Sequence, residues 1–358
     1  MSIRISRRAG IVSVLLAAVV STYFLWPRAS RSAPLREARE AVGQRDFDRA
    51  ATRLDEHFTR WPDDADGHLF AAQCARRSDR VAEAEKHLRR FRELTGDDER
   101  FNRERLLLSA QQGELASLDG GFAVFKMKDD DPDAPLAIEA LARGYMRKGQ
   151  WGRARQWLQQ WLDRKPERAD RAQALTWSGQ CRQRLGQFPE AVADFREAHR
   201  LDPAALEVRM DLAEMLIRSA PQEALDHLEA IAAREPNRLR VLIDIARAKR
   251  NLGDFDSVRP LLEELLRQSP TDLAALTEMA KLELDLRRPI EAETYVRKAE
   301  ALAPNSHEVN ATLLRCLVDQ GKTAESDRIR AKLKTLEAEL ERRAAELIST
   351  GASPKATR

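Results

Sequence analysis

Small and apolar residues recur along this chain in register with a proline, at a period near thirty-four residues. Ala50, Ala154, Ala191, Ala224 and Ala292 each stand twelve residues before Pro62, Pro166, Pro203, Pro236 and Pro304. Val258 keeps the same distance from Pro270, and from Pro203 onward the proline steps are 33, 34 and 34 residues. A fixed period of this length predicts one two-helix hairpin repeated along a line, with no single globular core. A small residue on each helix lets two antiparallel helices approach closely, and a large residue four positions later fills the groove beside them. Glycine ends the first helix of a hairpin, and proline stops the second because it cannot donate the next hydrogen bond.

The stretch from Ala172 to Ala205 carries Gly179, Gly186-Gln187-Phe188, Ala191, Phe195, Ala198 and Pro203. From Pro135 the chain offers Leu141, Ala142, Tyr145, Gly149, Trp151, Ala154, Leu158 and Pro166. Two further stretches follow the same order, with Leu242, Ile245, Ala246, Gly253, Phe255, Leu262 and Pro270, then Leu276, Met279, Ala280, Ala292, Val296, Ala299 and Pro304. In these positions the sequence resembles the tetratricopeptide repeat, over residues from about 31 to 340. The resemblance implies an all-α chain of tandem helix-turn-helix repeats, nine hairpins forming a right-handed superhelical solenoid.

Its strength varies along the chain. The 31–64 stretch keeps Phe47, Ala50, Leu54 and Pro62, and the 65–98 stretch has Gly96 where proline is expected. The 99–132 stretch fits poorly: Gly120-Gly121 falls mid-helix, at about 1 kcal/mol per glycine relative to alanine, and Asp129-Asp130-Asp131-Pro132 follows. An irregular joint is therefore expected near 119–135. It separates units in 31–132 from those in 133–322. Ile329, Leu333, Leu336, Leu340 and Leu347 recur at three- and four-residue steps in a long helix over 323–349. That helix either caps the last hairpin or pairs with a second copy to give a homodimer. Residues 350–358 read as a disordered tail.

Charge changes the picture at one end only. The chain has 61 basic and 58 acidic residues, a net +3. Residues 1–45 hold eight Arg and two Glu, so the remainder is slightly acidic. A nucleic-acid reader needs a strongly basic body, so that partner class is excluded. Ala9 to Trp26 is eighteen residues without a charge, about 27 Å as a helix against roughly 30 Å of hydrocarbon. Arg4, Arg7 and Arg8 precede it, and Tyr23, Phe24 and Trp26 sit at its end like an interfacial belt. Residues 1–30 thus read as an N-terminal transmembrane helix, a signal-anchor, with a cleaved signal peptide as the alternative. The repeats are expected on the extracytoplasmic side of a bacterial inner membrane.

Reactive chemistry is not indicated. Cys74, Cys181 and Cys316 fall in one slot of the first helix of their hairpins, where other units place Gly144, Ala248 and Leu282. At least three repeats separate any two of them, too far for a disulfide or a shared metal, so they read as small core residues. The six histidines are scattered without metal-ligand spacing, and no glycine loop cradles a phosphate. No nucleophile is assembled with a base. No catalytic, cofactor or metal site is therefore expected, and the chain reads as a non-enzymatic scaffold.

The resemblance implies that first helices line the inner wall, where family members hold extended segments or chain ends of other proteins. The ninth residue of each unit is Arg39, Gln73, Leu107, Arg143, Gln180, Glu214, Arg247, Lys281 and Arg315. Arg147 and Arg250 share that face. A planar guanidinium suits carboxylates, so Arg143, Arg147, Arg247, Arg250, Lys281 and Arg315 are candidates for a groove taking acidic or C-terminal segments. The competing expectation is a solvated face whose charges pair with Glu139, Glu214 and Glu308. Trp151, Trp157, Trp161 and Trp177 form the one aromatic concentration, either core packing or a partner anchor. The alternative function is self-association through the C-terminal helix, with the groove incidental.

Overall fold

The computed structural model describes residues 33–96, 98–115 and 134–350, and every regular element among them is an α-helix. The chain divides between Ala174 and Leu175 into two compact units. The first holds α1 (33–43), α2 (Phe47–Arg60), α3 (Ala65–Arg77), α4 (Val81–Thr95), α5 (Glu99–Gln111), α6 (Ala134–Arg147) and α7 (Trp151–Asp163). Helix α8 (Arg168–Arg184) runs through the division. The second unit holds α9 (Phe188–Leu201), α10 (Leu206–Leu216), α11 (Pro221–Ala232), α12 (Leu239–Leu252), α13 (Phe255–Gln268), α14 (Leu273–Asp285), α15 (Pro289–Leu302), α16 (His307–Asp319) and α17 (Thr323–Thr350).

Local chemistry sets these boundaries. Pro62, Pro166, Pro203, Pro236, Pro270 and Pro304 each lie just past the end of a second helix. Asp46, Asp98, Asp254 and Asp272 accept a backbone N–H from the first turn that follows them, and each such cap is worth about 1 kcal/mol. Where the 65–98 unit lacks its proline, Gly96 takes φ +77° and ends α4. Arg45 and Asp79, at φ +57° and +67°, occupy the left-handed turn position that Gly149, Gly186, Gly253 and Gly321 take elsewhere.

Packing is distributed along the chain. All six residues at the twelve-before-proline slot (Ala50, Ala154, Ala191, Ala224, Val258 and Ala292) are fully buried. In the first unit, Leu69, Leu88, Phe91 and Leu108 join α3, α4 and α5, and Leu107, Ala140 and Leu141 join α5 and α6. In the second, Met210, Leu228 and Ile245 join α10, α11 and α12, and Ile243, Leu262 and Met279 carry the stack on to α14. Each cluster draws on consecutive helices only, and burying one such side chain contributes about 1.5–3 kcal/mol. Ile329 and Leu333 of α17 are buried with Leu313 and Leu317 of α16, so the start of the long helix is the second helix of the last hairpin.

The sequence feature 9–26 and residues 119–133 of the joint expected near 119–135 lie outside the described residues, as do the side chains of Leu340 and Leu347, while Ala134 and Pro135 already belong to α6. Among the described residues, no helix is long and apolar enough to cross a membrane.

Candidate functional site

Helices α10, α12, α14 and α16 are the first helices of four successive hairpins. They and the turns after them line a cavity of about 760 Å³ within the second unit. The period brings equivalent turns side by side, so Glu214, Arg247, Lys281 and Arg315 all reach this cavity. Ile217 and Leu284 give it apolar surface, and Ala311 and Thr312 leave it room.

Its cations are braced from helix to helix. Glu278 of α14 is buried, with 1% of its surface exposed. It accepts hydrogen bonds from Arg247 Nε at 2.9 Å, Arg250 Nε at 3.3 Å and Lys281 Nζ at 2.9 Å. Burial alone raises the Glu278 carboxyl, but Lys281, Arg247 and Arg250 outweigh it and hold its pKa below the ordinary value. Asp285 takes Arg250 Nη1 at 2.6 Å on one oxygen and Arg315 Nη2 at 3.2 Å on the other. Arg247 also donates to Asp244 at 3.0 Å, and Lys281 to Glu308. The four groove cations of this unit thus face Asp244, Glu278, Asp285 and Glu308. Glu214 is paired instead with Arg240.

The two remaining candidates belong to the first unit and are held there differently. Arg147 pairs with Asp79, and Arg143 donates to the Arg77 carbonyl at 2.9 Å while approaching Asp79 at 3.7 Å. Beside them Glu139 is buried between two guanidinium groups, Arg45 at 2.7 Å and Arg77 at 2.8 Å. Both arginines also donate to Asp170, each at 2.8 Å.

Two tetratricopeptide-repeat family profiles match the chain, one over residues 35–99 and 179–238 and the other over 215–282. Over these segments the chain is similar to tetratricopeptide repeats. No curated protein matches the chain. Among solved structures, a thermophilic repeat protein of Thermus thermophilus is 20% identical, with a TM-score of 0.42, covering 49% of this chain and 98% of its own. A repeat protein of Parabacteroides merdae is 16% identical with a TM-score of 0.42, covering 81% of this chain and 99% of its own. YrrB, described as a repeat protein with an unusual peptide-binding site, is 17% identical with a TM-score of 0.43, covering 53% and 94%.

Cys74, Cys181 and Cys316 are buried and unbonded to one another, and burial pushes the Cys74 and Cys316 thiols up to about 12. Trp161 and Trp177 are buried, and Trp157 packs against the α5–α6 cluster. Among the described residues, no group of three or more His, Cys, Asp or Glu side chains is arranged to hold a metal.

Periodicity did not foretell that the first two repeats gather three of the six histidines. His68 Nδ1 meets His87 Nδ1 at 3.0 Å, and His68 Nε2 faces the Pro62 carbonyl at 2.9 Å. His57 Nε2 meets Asp64 at 2.8 Å, and Phe58 stacks on both His68 and His87. The Pro62 carbonyl can only accept, so the neutral His68 ring carries its proton on Nε2. Its bare Nδ1 then accepts from His87.

Proposed function

We propose that the second unit holds an extended segment of another protein in the cavity lined by α10, α12, α14 and α16. The observation that carries this reading is the cavity itself, lined entirely from first helices and the turns that follow them. Its volume suits several residues of a bound chain. Repeats of this family act as non-catalytic scaffolds, and here shape together with ordered charge supplies the recognition. Arg247, Arg250, Lys281 and Arg315 favour a segment carrying a carboxylate, as a side chain or a chain end. The apolar stretch from Ala9 to Trp26 would tether this scaffold to a membrane, with the repeats on the extracytoplasmic side of a bacterial inner membrane. Self-association through α17 is the weaker reading, because Ile329 and Leu333 are already buried within the chain.

Selection from a randomised library of acetylated, amidated octapeptides tests the groove. Ala311 is exposed on the cavity wall, so Ala311→Trp fills the space without disturbing a core contact. The wild-type full-length chain should enrich peptides that Ala311→Trp does not. Equal enrichment by both proteins would remove the groove as the binding surface.

A further inference from the structure

One carboxylate of the groove stands apart from the rest. Arg218, Arg247, Arg250, Lys281 and Arg315 line the cavity, and the last four of these cations pair with four carboxylates, of which three are built into the wall. The Asp244 and Glu278 side chains are about 2% and 1% exposed, and that of Asp285 is 21% exposed and bridges two arginines. Glu308 differs. Its side chain is 53% exposed, its carboxylate pairs with Lys281, and it lines the cavity. Lys281 is only 21% exposed and keeps a second, buried partner in Glu278, so it does not depend on Glu308 for its position.

We infer that Glu308 is a placeholder, its carboxylate occupying in cis the position at Lys281 where a partner's carboxylate docks. This rests on the groove reading above and adds the chemistry of one subsite within it. Removing the Glu308 charge leaves three fixed carboxylates against four cations, an unmatched positive charge facing the cavity. An exposed ion pair contributes little to stability, so the exchange costs the fold almost nothing. The incoming carboxylate gains the partly desolvated Lys281 that Glu308 now takes. Glu308 therefore lowers the positive charge of the empty groove at Lys281, and affinity for acidic segments is set below what its cations alone would give.

The same octapeptide library, presented to the full-length chain and to Glu308→Gln, tests this. Sequences selected by Glu308→Gln should be richer in Asp and Glu than those selected by the wild type. A single-glutamate peptide from the set should bind the variant about tenfold more tightly, a step typical of one charge-assisted contact. Its glutamine counterpart should bind both proteins equally. Adding Lys281→Met to Glu308→Gln should abolish the gain, while thermal melting shows that both variants remain folded. Re-synthesising the glutamine peptide with a free C-terminus separates the two carboxylate sources: a gain there assigns the subsite to chain ends, and a gain with glutamate alone assigns it to side chains. Selection by the wild type that Ala311→Trp loses, with no acidic shift in Glu308→Gln, overturns the placeholder and leaves the groove standing. Selection unaffected by Ala311→Trp overturns both.

Discussion

Arg45 and Asp170, 125 residues apart in the chain, are joined by a 2.8 Å hydrogen bond from Nη1 to Oδ1. In a linear array each repeat meets its neighbours, yet here the turn of the first hairpin reaches the start of α8. The link runs through the buried Glu139, which Arg45 and Arg77 flank, so two cations and two carboxylates close a neutral ring. Arg45 and Asp79 hold left-handed turns without glycine, a conformation that costs about 1–2 kcal/mol per residue. Each carries a tertiary ion pair from that position. In the first unit these charges are therefore satisfied by one another.

Glu139 should be the most sensitive member of the ring. Glu139→Ala leaves two largely buried guanidinium groups to share Asp170 alone, and losing the buried partner of such a pair costs about 3–5 kcal/mol. The shift should appear in the urea midpoint of the full-length chain. Glu139 is buried, yet Arg45 and Arg77 overcome that burial and take its pKa from 4.5 down to about 2. Above 4.5 the carboxylate is ionised in both states and its contribution of about 3 kcal/mol is complete. As pH falls from 4.5 toward 2 the unfolded chain binds a proton that the folded chain refuses, and the contribution is lost. Glu139→Gln should lack that acid-dependent loss.

Gly144 permits the closest approach in the first unit. A β-carbon at this position would stand 2.0 Å from the Ala110 carbonyl oxygen, with Leu115 also nearby. The obstacle is backbone, so α5 and α6 must separate to admit even alanine. Gly144→Ala should destabilise by about 3 kcal/mol or more, read as a lowered urea midpoint. Gly152 in α7 has nothing within 4 Å of its would-be β-carbon. There the same substitution should stabilise by roughly 0.5–1 kcal/mol.

Much of this architecture is legible in the residue pattern, because a small residue and a proline at fixed separation record contacts that are local within a hairpin. Ala191 with Pro203 and Ala292 with Pro304 mark their helices and the ends of them. Candidate cations are legible too, since the ninth residue of each unit recurs with the period. Their partners are legible only in part. Glu308, one of the acids expected to pair with this face, meets Lys281, but Asp285, which takes Arg250, is not among them; both contacts cross the gap between repeats, at a reach decided by how successive helices tilt. Periodicity marks where a side chain starts, and a long side chain ends several ångströms away. Nor could spacing place Arg45 beside Asp170, because that contact depends on curvature accumulated over several helices.

The histidine cluster should make the first two repeats acid-sensitive in a window distinct from that of Glu139. Burial first, then the neighbouring His68 and Lys86, lower the His87 pKa from 6.5 to about 4, against a smaller opposing pull from Asp55. Above 6.5 the ring is neutral folded or unfolded, and it contributes no pH dependence. Between 6.5 and 4 the unfolded chain gains a proton that the stacked ring, held against Phe58 and His68, does not. Stability therefore falls as pH drops through that range and levels off below 4. Amide exchange across α2 to α4 should quicken between pH 6.5 and 4 after correction for intrinsic rates, with the melting temperature lowered by a few degrees. His87→Gln keeps a donor for His68 Nδ1 but does not titrate, so its profile should be flatter over the same range. An identical slope in the variant would assign the acid sensitivity to other groups, such as the His199–His227 pair of the second unit, whose pKa values burial also lowers.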